Sequence, residues 1–264
     1  MRIAAGVEYC GANFDGWQRQ YGRRTVQECV EKALTSVANH PIKVICAGRT
    51  DSGVHAIQQV IHFDTIAERK NHSWAFGANS NLPDDINLNW VIPVDDEFHA
   101  RFSAVSRQYR YFILNRRTRT ALFKELLTWE PLELDENKMD EAGKSLIGKH
   151  DFTSFRATAC QAKTAIRNII KLDIYRERDL VIIEIEANAF LHHMVRNIAG
   201  VLTMIGTGKF STDWAREVLD AKDRSLGGVT AEANGLYLVD ICYAKKFNIP
   251  SVNGFTPTIL KQLS

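Results

Sequence analysis

No apolar run in this 264-residue chain approaches the ~18 residues that a membrane-spanning helix needs, and Met1-Arg2-Ile3 leads straight into strand-like sequence rather than a signal peptide. The expectation is a cytoplasmic protein with no membrane attachment. CxxC pairs and short Cys/His spacings are also missing. The five cysteines, Cys10, Cys29, Cys46, Cys160 and Cys242, are odd in number and scattered, which argues against a disulfide framework or a zinc ribbon. Neither GxxxxGK[ST] nor a GxGxxG following a strand occurs, so no ATP or dinucleotide cofactor has a visible site. Aromatics are only 9% of the chain, and 33 basic against 31 acidic side chains leave a formal charge of +2. That excess is too small to hold a polyanion by whole-molecule charge, so any nucleic-acid partner must be held by local patches. With 45% hydrophobic and 24% charged residues, the composition fits one large globular domain or two smaller ones.

Periodicity supplies the elements. Ile3, Ala5, Val7 and Tyr9 alternate as in a strand with one buried face. The Gly-rich segment GANFDGWQRQYG follows, and then Thr25 and Glu28 at capping-box spacing open a helix whose apolar stripe is Val26, Cys29, Val30, Ala33, Leu34 and Val37. Ile42, Val44 and Cys46 alternate, AGRTDSG interrupts, and 57–64 resumes as a strand; a short helix over 72–79 and a strand over 86–94 complete a βαββαβ order. The second half repeats it with a strand around Tyr109 to Ile113 and a helix capped by Asp135. A hairpin over 169–175 and 180–187, an apolar helix over 190–207, a helix from Ser211 and a strand over 236–243 follow. The expected fold is α+β: two βαββαβ (ferredoxin-like) units joined into one extended mixed, mainly antiparallel sheet with a central cleft between the halves. The boundary falls near residue 104, giving subdomains 1–104 and 105–264, with the tail after Lys246 as a surface strap.

Charge is uneven along the chain. Arg101, Arg107, Arg110, Arg116, Arg117, Arg119 and Lys124 stand between 101 and 124 with no acid among them, whereas 51–100 holds eight acids and only Arg69 and Lys70. A polyanion docking there would explain the asymmetry; a solvated strand edge protected by charge would explain it equally.

For chemistry the loop Ala47-Gly48-Arg49-Thr50-Asp51-Ser52-Gly53-Val54-His55-Ala56 stands out. Asp between glycines is what tight turns select. Arg49 beside it and His55 near it open the alternative of a poised acid, base or nucleophile at Asp51. In the apolar helix expected from Phe190, His192 and Arg196 are spaced i, i+4 on one face. A buried arginine there needs a partner; Asp51 is the nominated carboxylate, and a structural ion pair is the plainer alternative. If the arginine outweighs desolvation, Asp51 stays ionised near neutral pH. A metal site on His55, His62, His192 and His193 lacks HExxH or facial-triad spacing, and Cys46 and Cys29 lie on packing positions rather than as nucleophiles. Tyr109 and Tyr111 share a strand face beside arginines, which suits base stacking as well as ordinary sheet packing.

Four stretches together resemble the tRNA pseudouridine synthases of the pseudouridine synthase I family: VEYCGANFDGWQRQ (7–20), CAGRTDSGVHA (46–56), FHARFSAVSRQYRYFI (98–113) and GKHDFTSFRATACQAKTAIRN through NAFLHHMVRN (148–197). The resemblance implies isomerisation of uridine to pseudouridine in RNA, with no metal, nucleotide or redox cofactor. It implies that Asp51 of GRTD is the catalytic nucleophile and that Tyr109 packs against the base and aids proton transfer. It also implies that Arg196 pairs with Asp51, that Arg49 helps flip and hold the nucleotide, and that Leu236 of GLYL lines the uracil pocket. A tRNA anticodon stem-loop substrate, with nucleotides 38, 39 and 40 as targets, and a homodimer are implied as well. Two positions depart from the pattern: Cys10, where Asp is common, and Glu232, where proline is frequent. A non-catalytic RNA-binding or RNA-folding protein on the same fold is the alternative function, and a histidine-based metallohydrolase a third.

Overall fold

The computed structural model describes residues 1–251, so the strap expected beyond Lys246 lies largely outside the described residues. In chain order the elements are β1 (Arg2–Tyr9), α1 (Val26–Ala38), β2 (Ile45–Cys46), β3 (His55–Asp64), α2 (Asn71–Asn79), β4 (Ile86–Val94) and β5 (Ala104–Asn115). Then come β6 (Thr128–Glu130), α3 (Glu136–Lys144), β7 (Gly148–Asp151), β8 (Ile166–Glu177), β9 (Leu180–Ala187), α4 (Met194–Gly206), α5 (Trp214–Ala221) and β10 (Leu236–Tyr243). The chain is α+β, and the ten strands of a mixed, mainly antiparallel sheet are divided between two compact units. Among the described residues the first holds Met1–Arg107 and 237–251, and the second holds Gln108–Leu236. The chain thus crosses between units three residues beyond the expected boundary of 104, and β10, read from sequence with the second half, returns to the first. Pairing explains the return, because Tyr237 and Leu238 lie parallel to His55 and Ala56 of β3.

In the first unit the strand order is β4-β1-β3-β10, with β2 antiparallel on β3. Ile3 faces Phe63 and Ala5 faces Ile61, a register that places both apolar sets on one side. The expectation of a single buried face on β1 is corrected: Ala4 and Ala5 are both fully buried. Its second face carries the small residues Ala4 and Gly6, and a Cβ on Gly6 would collide with the Trp90 indole. Helix α1 buries Val26, Val30, Ala33 and Leu34 as the stripe predicts. Its capping box does not form, because the Thr25 hydroxyl is buried without a partner and Glu28 instead pairs with Lys32 at 2.9 Å.

The second unit orders its strands β5-β9-β8-β7, with β6 parallel to β5. The β8/β9 hairpin turns where expected, with Arg178 in the left-handed region (φ 52°). Asp135 caps α3 by accepting from the Lys138 amide, 3.1 Å. Helix α4 starts at Met194 rather than at residue 190, because His193 adopts a left-handed conformation (φ 61°) that closes the preceding turn. His192 therefore lies outside the helix, and the expected shared face with Arg196 does not exist. Among the described residues no helix is long and apolar enough to cross a membrane.

Candidate active site

Strand β3 explains how the first unit builds its loop. It is buried from His55 to Phe63 and yet carries His55, Gln58, Gln59 and His62, each no more than 2% exposed. Buried polar groups need partners, and here each partner is a loop or a neighbouring strand. His55 Nδ1 accepts the Gly11 amide at 3.0 Å, and its ring stacks on Tyr237 with centroids 4.6 Å apart. The Gln59 carboxamide brackets Gly48, accepting its N–H at 3.2 Å and donating to its carbonyl. His62 Nδ1 accepts the Ala100 amide at 3.1 Å, and burial followed by the nearby His99 and Arg2 pulls its pKa down to about 4.

The loop between β2 and β3 is thereby fixed at both ends, and the Gly-rich segment fixes its middle. The Trp17 amide donates to the Thr50 carbonyl at 3.1 Å, and the Thr50 hydroxyl meets the Tyr9 hydroxyl at 2.7 Å. The Ser52 hydroxyl and the Gly53 amide both donate to the Phe14 carbonyl, at 3.1 and 3.3 Å. Val54 N–H closes the turn onto the Asp51 carbonyl at 3.2 Å. Gly16 sits at φ +85°, and a Cβ there would stand 2.8 Å from the Thr50 carbonyl, so only glycine lets the two loops meet. Asp51 is half-buried on this bonded turn, and Arg49 is exposed. Cys10 caps nothing; the loop it opens is pinned by His55 and by its own amide on Asp85, 3.0 Å.

In the second unit Tyr109 is buried, its ring meeting Phe190 edge-on at 5.1 Å. Tyr111 is structural: its hydroxyl lies 2.6 Å from the Thr128 hydroxyl and donates to the Glu232 carbonyl at 2.9 Å, and burial pushes its pKa up. Arg196 stands in the first turn of α4, half-buried. Its Nε donates to the Ala231 carbonyl at 2.7 Å while its own carbonyl accepts the Ala231 amide at 3.1 Å, a reciprocal pair that fixes the side chain's exit from the helix. Asn197, one residue on, donates to the Phe155 carbonyl at 2.8 Å and accepts from Thr230 at 2.7 Å and Arg224 at 3.1 Å, holding the 228–231 segment against the helix. Leu236 is buried at the start of β10, after a Gly235 whose Cβ would lie 2.7 Å from the Phe112 carbonyl. His55 and His62 each use Nδ1 as an acceptor of a backbone N–H, which leaves the proton on Nε2 and removes both from metal ligation. Burial pushes the Cys46 thiol up to about 12, away from the thiolate form a nucleophile uses.

The basic run from 101 to 124 divides. Arg107 donates to the carbonyls of Ala104, Ala47 and Arg101, and Arg110 pairs with buried Glu184 at 2.8 Å, so both hold the fold. Arg101, Arg116, Arg117, Arg119 and Lys124 are exposed. Sequence reasoning missed Gln59 and Trp17 as supports of the loop; polar residues within an apolar strand period were the available signal.

A family model described as tRNA pseudouridine synthase matches residues 5–103 and 142–244, which include Arg49, Asp51, Arg196 and Leu236. The chain is 55% identical to the tRNA pseudouridine synthase A of Nitrosococcus oceani over 253 residues, 96% of this chain and 98% of that one. It is 54% identical to that of Coxiella burnetii over 249 residues, 94% and 95%, and 52% identical to that of Vibrio campbellii over 252 residues, 96% of each. The built aspartate loop, the arginine fixed on its helix and this full-length similarity lead to one conclusion: the chain belongs to the tRNA pseudouridine synthase family and is an RNA uridine isomerase.

Proposed function

We propose that Asp51 is the nucleophile of this isomerase, that Arg196 is its ion-pair partner, and that the targets are uridines at nucleotides 38, 39 and 40 of the tRNA anticodon stem-loop. The observation that carries the reading is the immobilised turn around Asp51: Thr50, Ser52 and Gly53 are each bonded to residues 9–17. A carboxylate that must meet one carbon of a nucleotide gains from such positioning. The target uridine has to leave its stack before its C1′ or C6 can be reached, at a cost of a few kcal/mol that phosphate contacts offset. Exposed Arg49 takes the vacated space and holds the extruded nucleotide. Tyr109 packs on the uracil and aids proton movement, with Leu236 as the apolar wall. Asp51 then attacks C1′ or C6, or assists loss of the C2′ proton to a glycal-like intermediate; each route breaks N1–C1′, rotates the base and rejoins it through C5, and each needs the ionised carboxylate. The reaction proceeds without metal or cofactor, in a cytoplasmic homodimer. Mapping pseudouridine in unmodified tRNAs after incubation with the enzyme tests the assignment. Modification confined to nucleotides 38–40 is expected, and modification elsewhere in the tRNA would overturn the anticodon assignment.

A further inference from the structure

The Gly-rich segment ends in a feature that the catalytic reading leaves unused. Between Asp15 and Arg24 the chain forms a closed loop, its base tied by the Asp15 amide on the Arg24 carbonyl, 2.8 Å. Its sides are braced mainly by the first turns of α1. Gln18 donates to Gln27 at 2.9 Å, the Arg19 amide donates to the same Gln27 oxygen at 3.1 Å, Gln20 donates to the Asp15 carbonyl at 3.1 Å, and the Arg19 guanidinium reaches buried Glu31. At the tip stands Tyr21, fully exposed, followed by Gly22 at φ +69° with open space around it. Arg23 is next, its side chain 63% exposed and 3.7 Å from Asp15. The exposed ring takes no part in these bonds, which hold the loop on α1. The root of the loop is the Gly16–Trp17 step, whose Trp17 amide donates to the Thr50 carbonyl next to Asp51, so the tip and the Asp51 turn share one support within one unit.

From this loop we infer that Tyr21 and Arg23 form an RNA-docking tip, in which the ring stacks on an unpaired base of the substrate tRNA and the guanidinium takes a neighbouring phosphate. A rigid aromatic flanked by arginine is the pattern that binds single-stranded nucleic acid without reading sequence. Of the three arginines in segment 11–24, Arg19 is held by Glu31 and Arg24 by Asp85 at 2.9 Å, so Arg23, paired only at 3.7 Å with Asp15, is the cation available to a phosphodiester. The inference rests on the tRNA substrate of the proposed function and adds a contact outside the base pocket.

Its test is the dissociation constant of unmodified tRNA for the full chain across a salt series, measured for wild type, Tyr21→Ala, Tyr21→Phe and Arg23→Gln. Tyr21→Ala is expected to weaken binding about tenfold or more with an unchanged salt slope, and Tyr21→Phe to bind like wild type. Arg23→Gln is expected to lower the slope by about one phosphate's share. Tyr21→Ala within twofold of wild type, or Tyr21→Phe as weak as Tyr21→Ala, overturns the stacking role; an unchanged slope for Arg23→Gln overturns the phosphate contact. Thermal unfolding of the variants checks that folding is intact. Wild-type turnover in the same preparations separates the two readings, since its absence would count against the proposed function whatever the binding result.

Discussion

At the residue scale, Gln59 and Arg196 are fixed through backbone amides and carbonyls. Gln59 is fully buried and uses both ends of its amide on one peptide, so Gln59→Leu leaves the Gly48 N–H and carbonyl unpaired. The expected loss is about 2–3 kcal/mol in urea unfolding, together with at least about a tenfold fall in kcat as the loop loosens. Equal stability of variant and wild type would contradict the clamp. Arg196→Lys keeps the charge but loses the planar Nε donor to Ala231. Single-turnover rates should fall about 10–100-fold with unfolding little changed; a wild-type rate would show that charge alone suffices at this position.

Elements were legible in the sequence wherever a sustained period, a built cap or a turn marked them. β1, the stripe of α1, the Asp135 cap and the β8/β9 hairpin all follow from spacing. β6 and β7 did not, because three or four residues carry no period. The start of α4 was misplaced since Phe190 and Leu191 continue the apolar pattern while His193 breaks the backbone, a conformational choice that periodicity does not register. The loop around Asp51 and the position of Arg196 near the start of the apolar helix follow from the sequence, whereas the polar side of β3 does not, since its residues look out of place in a buried strand until their loop partners are seen. That strand also predicts a pH dependence. His62 binds its proton near 6.5 when unfolded and only near 4 when folded. The unfolded state therefore holds more protons between those values, and the contribution is intact above about 6.5 and lost as pH falls through about 4. His62→Asn, whose carboxamide oxygen can accept the Ala100 amide, should flatten the urea-midpoint profile between pH 6.5 and 4; a profile parallel to wild type would contradict the assignment.

For the molecule as a whole, the near-zero net charge hides a division of labour among arginines. Arg107 and Arg110 are committed to carbonyls and to Glu184, whereas Arg117 and Arg119 are exposed. Replacing Arg117 and Arg119 with Gln should lower the salt dependence of tRNA binding without shifting Tm, and Arg110→Gln should do the reverse by leaving Glu184 with Lys171 as its remaining cation. Salt titrations and melting curves read the two effects separately, and a shared response would contradict the division. In the proposed function Asp51, on its immobilised turn, carries the isomerisation. Tritium release from C5-tritiated uridine in unmodified tRNA tests it most directly. Wild type should release tritium, and Asp51→Asn should release none while binding tRNA about as tightly; release by the variant at a comparable rate would contradict the account.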